Sequence, residues 1–262
     1  VLVVVATMTA LVVRFPSFRD GQTIMQTLER TALANFPQAS AYVTRFFDFV
    51  DDLEVSTTLW TKTVTNSTAA TVVTHANGGT VTNTNTAGAD DKVQFQFTSE
   101  PVLLNQLGKT YLFVYGGKIS EATQSDHAFG LAVIDTAIFE NTEFATDGVW
   151  IEKNDGDALL DLCVARDASA KADYQGATGF ASIDTAGHHY AIQIDLDEVT
   201  LGTGVVTVFM DGVQVARETV TNLPYDQAVA PFFGLVNGST DARVMVTDFI
   251  GWSGPRTKAA NL

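Results

Sequence analysis

The sequence has a single cysteine in 262 residues, few charges and little basic character, and each shortage removes a class of explanation. One thiol, Cys163, cannot close an intramolecular disulfide, so the core alone must hold the fold. In the apolar run 159–164 it reads as a buried small hydrophobe rather than a reactive thiol. Lysine and arginine number 15 against 30 aspartates and glutamates. The resulting net charge of −15 opposes any binding driven by phosphate neutralisation and excludes nucleic acid as a natural partner. The four histidines are His75, His127 and the pair His188 and His189, and with one cysteine they offer no metal-site spacing. No apolar run reaches the roughly 20 residues that a bilayer-spanning helix needs. Gly-x-Ser-x-Gly, the phosphate-binding Gly-rich loop and the dinucleotide fingerprint are all missing.

What is present is a folded chain with a polar, sparsely charged surface. Hydrophobic residues make up 46% and charged residues 17%, which leaves threonine, serine, asparagine and glycine to cover the outside. That style suits an extracellular or virion β-protein. The length allows one large sandwich with an appendage rather than two equal domains. The acids are spread through turns such as Asp51-Asp52, Asp90-Asp91 and Asp155-Gly156-Asp157, as a repulsive, solubilising surface requires.

Residues 1–45 read as an N-terminal module of arm and helix. The stretch Val1 to Val13 is apolar and β-branched, too short to span a bilayer, and without the basic start and small-residue cleavage site of a signal peptide. It begins at valine rather than methionine, as expected of a processed or truncated chain. An unshielded apolar strand of this kind needs something to dock on, which makes Val1, Leu2, Val3, Val4, Val5, Leu11, Val12, Val13, Phe15 and Phe18 the candidate partner-binding residues. Residues 21–36 carry Ile24, Met25, Leu28, Leu33 and Phe36 near one helical face, and Pro37 stops the run, which predicts one short helix.

From residue 46 to 253 the pattern changes to short β-branched and aromatic runs broken by turn clusters. Residues 92–97 and 189–196 alternate with period two, as half-buried strands should. Residues 205–210 and 213–216 flank Asp211-Gly212, which predicts a tight hairpin. Further strands are expected at 110–119, 128–134, 150–153, 158–160, 230–236 and 243–252, with short ones inside the Thr/Asn-rich segment 61–89. The total, about a dozen, exceeds an immunoglobulin sandwich. Residues 254–262 read as a tail.

These residues resemble a known family. Asp48-Phe49, Leu59-Trp60, Gly79-Thr80-Val81, Gly108 to Phe113 and Phe129-Gly130-Leu131 look like the opening half of a concanavalin A-like, laminin-G-like domain. Asp147 to Ile151, His189 to Asp195, Val208 to Gly212 and Val246 to Ile250 match its second half in order. The resemblance implies an all-β jelly-roll sandwich. The cysteine-poor, Thr/Ala-rich style with the opening Phe46-Phe47-Asp48-Phe49 is similar to capsid decoration, or cement, proteins of tailed bacteriophages. That likeness implies a virion structural protein on the outer capsid surface, bound to the major capsid protein or sister subunits as a homo-oligomer. An extracellular lectin-like module binding surface glycans is the alternative.

Relatives of this shape also include hydrolases and lyases. Retaining β-glucanases of this shape place two carboxylates on one strand face as Glu-x-Asp-x-x-Glu or Glu-x-Asp-x-Glu. Here Asp195-Leu196-Asp197-Glu198 and Glu140-Asn141-Thr142-Glu143 have the wrong order or spacing, and Gln193-Ile194 is followed by Asp195 where similar lyases carry histidine. No enzyme is expected, nor a cofactor. Laminin-G relatives bind calcium at loop ends, which makes Asn154, Asp155 and Asp157 the candidate cation ligands, although a tight turn demands the same residues. Trp60, Trp150 and Trp252 lie in strand-like runs and read as core rather than as sugar platforms.

Overall fold

A computed structural model describes residues 42–47, 59–65, 71–74, 80–85, 88, 90–99, 101–134, 146–157, 159–167, 172–173 and 179–255. Residues 1–41 of the expected arm and helix, and 256–262 of the expected tail, lie outside these residues, whereas Gly254 and Pro255 of that tail end a strand of the sandwich. Among them there is no helix, and the chain is an all-β sandwich of two antiparallel sheets.

The first sheet runs β15 (Val213–Val220), β14 (Gly204–Met210), β13 (His188–Leu196), β7 (Thr110–Ile119), β17 (Val244–Pro255), β4 (Val81–Thr84) and β3 (Thr71–Thr74), with β1 (Tyr42–Phe47) also paired to β17. The second runs β11 (Ala172–Asp173), β10 (Leu159–Ala165), β9 (Gly148–Lys153), β8 (Ser125–Ala132), β16 (Ala228–Asn237), β5 (Lys92–Phe97) and β2 (Trp60–Thr65). Two short strands flank it, β12 (Ala181–Ser182) on β10 and β6 (Val102–Leu103) on β16. The strand β1 straddles the expected boundary at residue 46, so residues 42–45 pair within the sandwich.

Alternation explains the first sheet. In β13, Tyr190, Ile192, Ile194 and Leu196 point to the core while Ala191, Gln193 and Asp195 face outward. The predicted hairpin forms at Asp211-Gly212, where both residues have positive φ (51° and 79°), the signature of a type I′ turn. A bulge between Val208 and Phe209 shifts the register just before it.

The inter-sheet core is rich in aromatic residues. Phe47 and Trp252 of the first sheet meet Trp60 and Phe97 of the second with ring centroids 5.0–5.6 Å apart, tying the sheets together where β1 and β17 meet β2 and β5. Farther along, Phe95 stacks on Phe233 at 5.0 Å and Tyr115 on Phe129 at 4.2 Å. Cys163 and the three tryptophans are buried, as expected.

The second sheet departs from alternation. The strand β9 is buried at every position, and β8, β10 and β16 nearly so. Its far face carries a separate buried cluster of Ala128, Ala132, Trp150, Cys163, Ala165, Phe232 and Val236. A strand buried on both faces has no polar side, so sequence alternation is lost there.

Candidate functional site

Among the described residues, four places gather chemistry-bearing side chains. The first is the far face of the second sheet. Register aligns Thr61, Gln96, Phe232, Gly130, Trp150 and Cys163 in one row across it, and Thr63, Gln94, Gly234, Ala128, Glu152 and Asp161 in the next. Side chains in register on antiparallel neighbours share a face, so Glu152 and Asp161 stand opposite one another on β9 and β10. This acid pair was not found in the sequence, because it spans two strands instead of recurring along one. The middle of the rows is Phe232 and Gly130 in the first and Gly234 and Ala128 in the second. A Cβ on Gly130 would come within 2.5 Å of the Trp150 backbone, so glycine is required there for strand approach.

This face is closed. Trp150, Glu152 and Phe232 have no exposed surface, and Asp161 is 6% exposed. The Glu152 carboxylate accepts hydrogen bonds from Trp150 Nε1 (2.8 Å) and Asn154 Nδ2 (3.2 Å). Gln96 donates to the carbonyls of Ala132 (3.2 Å) and Val133 (2.9 Å). Among the described residues of this face, the β2 end reaches solvent at Thr61, Thr63 and Thr65. A carboxylate held by an indole and an amide in a filled interior is placed as a structural acceptor; a nucleophile or general acid must reach a substrate.

The second place is the turn between β9 and β10, which holds Asn154, Asp155 and Asp157. Each is engaged within the turn and its neighbours. Asp155 N–H donates to the Asp126 carboxylate, the Asp157 carboxylate accepts Leu159 N–H at 2.9 Å, and Asp157 N–H donates to the Asn154 carbonyl at 3.1 Å. Gly156 supplies the left-handed φ of 80° that such a turn needs. Beside it, Lys153 is buried and donates to the Ser125 carbonyl. Burial lowers its pKa, opposed by the charges of Glu121, Asp126, Asp155 and Asp157 around this end.

At the opposite end of β9 and β10 lies the third place, which the sequence reading missed. Asp147, Asp167 and Asp226 come from three separate connections, and each offers a carboxylate oxygen within 4.8 Å of the others. Such a group could hold a hard cation of the calcium type, with backbone carbonyls or water completing the shell. Asp147 already accepts Asp167 N–H at 2.9 Å, and Arg166 lies 3.4 Å from the Asp167 carboxylate while its guanidinium covers the Tyr225 ring at 5.0 Å. Residues so far apart in sequence leave no spacing to recognise.

The fourth place is a shallow recess of about 280 Å³ on the first sheet, with His188, His189, Lys118 and Asp248 in its lining. The histidine pair does open a strand next to Gly187, as its sequence position suggests. The two rings part company, because successive residues of a strand point to opposite faces. His188 lies between two carboxylates, 2.7 Å from Asp211 and 3.1 Å from Asp184, whereas His189 packs on Phe249 at 5.4 Å. Burial holds the His189 pKa below its ordinary value.

No protein-family model matches the chain, and no curated protein matches it in sequence. Solved structures do match in shape. Peanut lectin aligns with a TM-score of 0.52 at 12% identity, covering 83% of this chain and 99% of that one. The carbohydrate recognition domain of Emp46p, in its potassium-bound form, aligns at 0.53 and 11%, covering 79% and 94%. The Bacillus licheniformis β-glucanase aligns at 0.52 and 12%, covering 80% and 97%. The fold is therefore the lectin-like, concanavalin-type jelly roll, shared here by binding proteins and a hydrolase, and identities this low carry the fold alone. Among the described residues no helix is long and apolar enough to cross a membrane.

Proposed function

We propose that this chain is a structural attachment protein, of the decoration or cement type on a bacteriophage capsid. In this reading the sandwich faces outward, and the residues ahead of Tyr42 hold the major capsid protein or a sister subunit. The observation that carries the reading is the closed far face of the second sheet. Trp150, Glu152 and Phe232 are buried there, which leaves the opposed pair Glu152 and Asp161 without the open cleft that a substrate needs. Function then falls to ends, edges and appended segments. Apolar contact by Val1 to Val13 would contribute roughly 25 cal/mol per Å² buried, and strand addition to a sheet edge would add backbone hydrogen bonds. The net charge of −15 keeps decorated particles apart. The test is deletion of residues 1–41 followed by co-sedimentation with capsids stripped of this protein. Loss of attachment by a variant that keeps its β-sheet circular dichroism is expected; undiminished attachment overturns the reading.

A glycan-binding role is favoured by one observation, the solvent-reaching threonines Thr61 and Thr63 in register with Gln94 and Gln96. A glycan array separates the two readings. Saturable sugar binding that is lost in Thr61→Ala, with capsid attachment absent, would establish the lectin-like role instead.

A further inference from the structure

His188 has a carboxylate at each ring nitrogen. Nδ1 lies 2.7 Å from Asp211 Oδ2 and Nε2 lies 3.1 Å from Asp184 Oδ1. A neutral imidazole has one N–H and one lone pair, so it can donate to only one of them; both bonds exist together only in the imidazolium. The two acids belong to different elements. Asp184 sits in the turn 183–187 ahead of β13, and Asp211 opens the hairpin turn between β14 and β15. We propose that His188 is a proton-operated clasp: charged, it ties the 183–187 turn to the β14–β15 hairpin, and neutral, it lets the turn go.

The geometry also decides which side lets go. Asp211 is fixed independently of the ring, since its Oδ1 accepts His189 N–H (2.9 Å) and its own N–H donates to the His189 carbonyl (2.7 Å). Asp184 is held by Ala186 N–H (2.6 Å) within its own turn, and its side chain is 66% exposed. On losing one proton the ring keeps the shorter bond to Asp211 and turns a lone pair toward Asp184. The turn is anchored at its start by buried Ile183, and its last residue, Gly187, borders open space, where a Cβ would meet nothing within 4 Å.

The remaining groups around the ring do not cancel the effect. Lys118 of β7 and Asp248 of β17, of opposite charge, are among the residues that line the neighbouring recess. Burial lowers the pKa of His189, next along the strand, and the Tyr190 ring meets His188 edge-on at 6.2 Å. Burial works against the charge on His188, yet the hydrogen bonds and charges of Asp211 and Asp184 outweigh it and lift its pKa above the ordinary value. The clasp is therefore closed below that lifted value and opens as pH rises through it.

The experiment is nitrogen-15 NMR of the full chain between pH 5 and 9, reading the His188 ring nitrogens and the exchange protection of the Ala186 and Gly187 amides. Expected are an imidazolium at pH 6, a midpoint above an ordinary histidine, and a loss of about tenfold in amide protection across that midpoint. Asp184→Asn, on an exposed turn, lowers the midpoint while the fold is kept, and His188→Gln removes the pH dependence of the two amides. A singly protonated His188 ring at pH 6, or amide protection that stays flat through the wild-type midpoint, overturns the clasp.

Discussion

Replacing Trp150 with alanine separates an interior position from a ligand-facing one. The side chain has no exposed surface and packs with Phe232 and Cys163 on the far face of the second sheet. Truncating a buried tryptophan costs about 3–5 kcal/mol in lost contacts and residual cavity. The substitution also removes the 2.8 Å donor to Glu152, leaving that buried carboxylate with one partner fewer, which costs about 1–3 kcal/mol more. The sum, about 4–8 kcal/mol, is comparable with the whole stability of many domains. For a domain of this size the thermal midpoint should fall by roughly 10–20 °C or more. Trp150→Phe keeps most of the volume and loses only the donor, so it should cost about 1–3 kcal/mol. Urea denaturation followed by far-ultraviolet circular dichroism measures both. If Trp150→Ala stays within about 0.5 kcal/mol of the parent, as surface substitutions do, the far face is open and the reasoning fails.

Other positions yield equally definite outcomes. Gly130→Ala forces a methyl against the Trp150 backbone and should lower the urea midpoint by an amount equivalent to about 1–3 kcal/mol, with backbone atoms unable to yield as a side chain could. Tyr115→Phe removes a hydroxyl 3.3 Å from His127 Nε2 and 3.1 Å from Thr247 Oγ1, and equilibrium unfolding should report a loss of about 1–3 kcal/mol. Burial, reinforced by the Lys153 charge, pushes the His127 pKa down to about 3. The unfolded chain then takes up that proton first, so stability present above about pH 6.5 is lost as pH falls toward 3, and His127→Gln should flatten this part of the urea-midpoint profile. Asn237→Ala removes the amide that donates to the Gly88 and Asp241 carbonyls and accepts from Asn85; scanning calorimetry should show a destabilisation of about 1–3 kcal/mol.

Local patterns carried much of the fold into the sequence. Residues 92–97 and 110–119 form strands with the expected bounds, and Asp211-Gly212 makes the expected hairpin, because period-two alternation and turn chemistry act over a few residues. Trp150 was readable as buried, but its side of the sheet was not. Adjacent Glu152 and Lys153 are both fully buried on opposite faces, a placement that polarity alone argues against and that only the doubly covered second sheet allows. The candidate sites were less legible still. Asp184 and Asp211 read as turn residues, and only the folded register brings both to His188. Asp147, Asp167 and Asp226 meet because three connections end at one edge of the sandwich, a fact of topology with no trace in spacing.

The most direct test of the attachment role is saturation binding of the purified chain to capsids stripped of it, read by co-sedimentation and counted per capsid subunit. Saturation at a fixed whole-number ratio to the capsid lattice, abolished by removal of residues 1–41, is the result predicted. Failure to co-sediment at any concentration, or attachment that the sandwich alone reproduces in full, would contradict it.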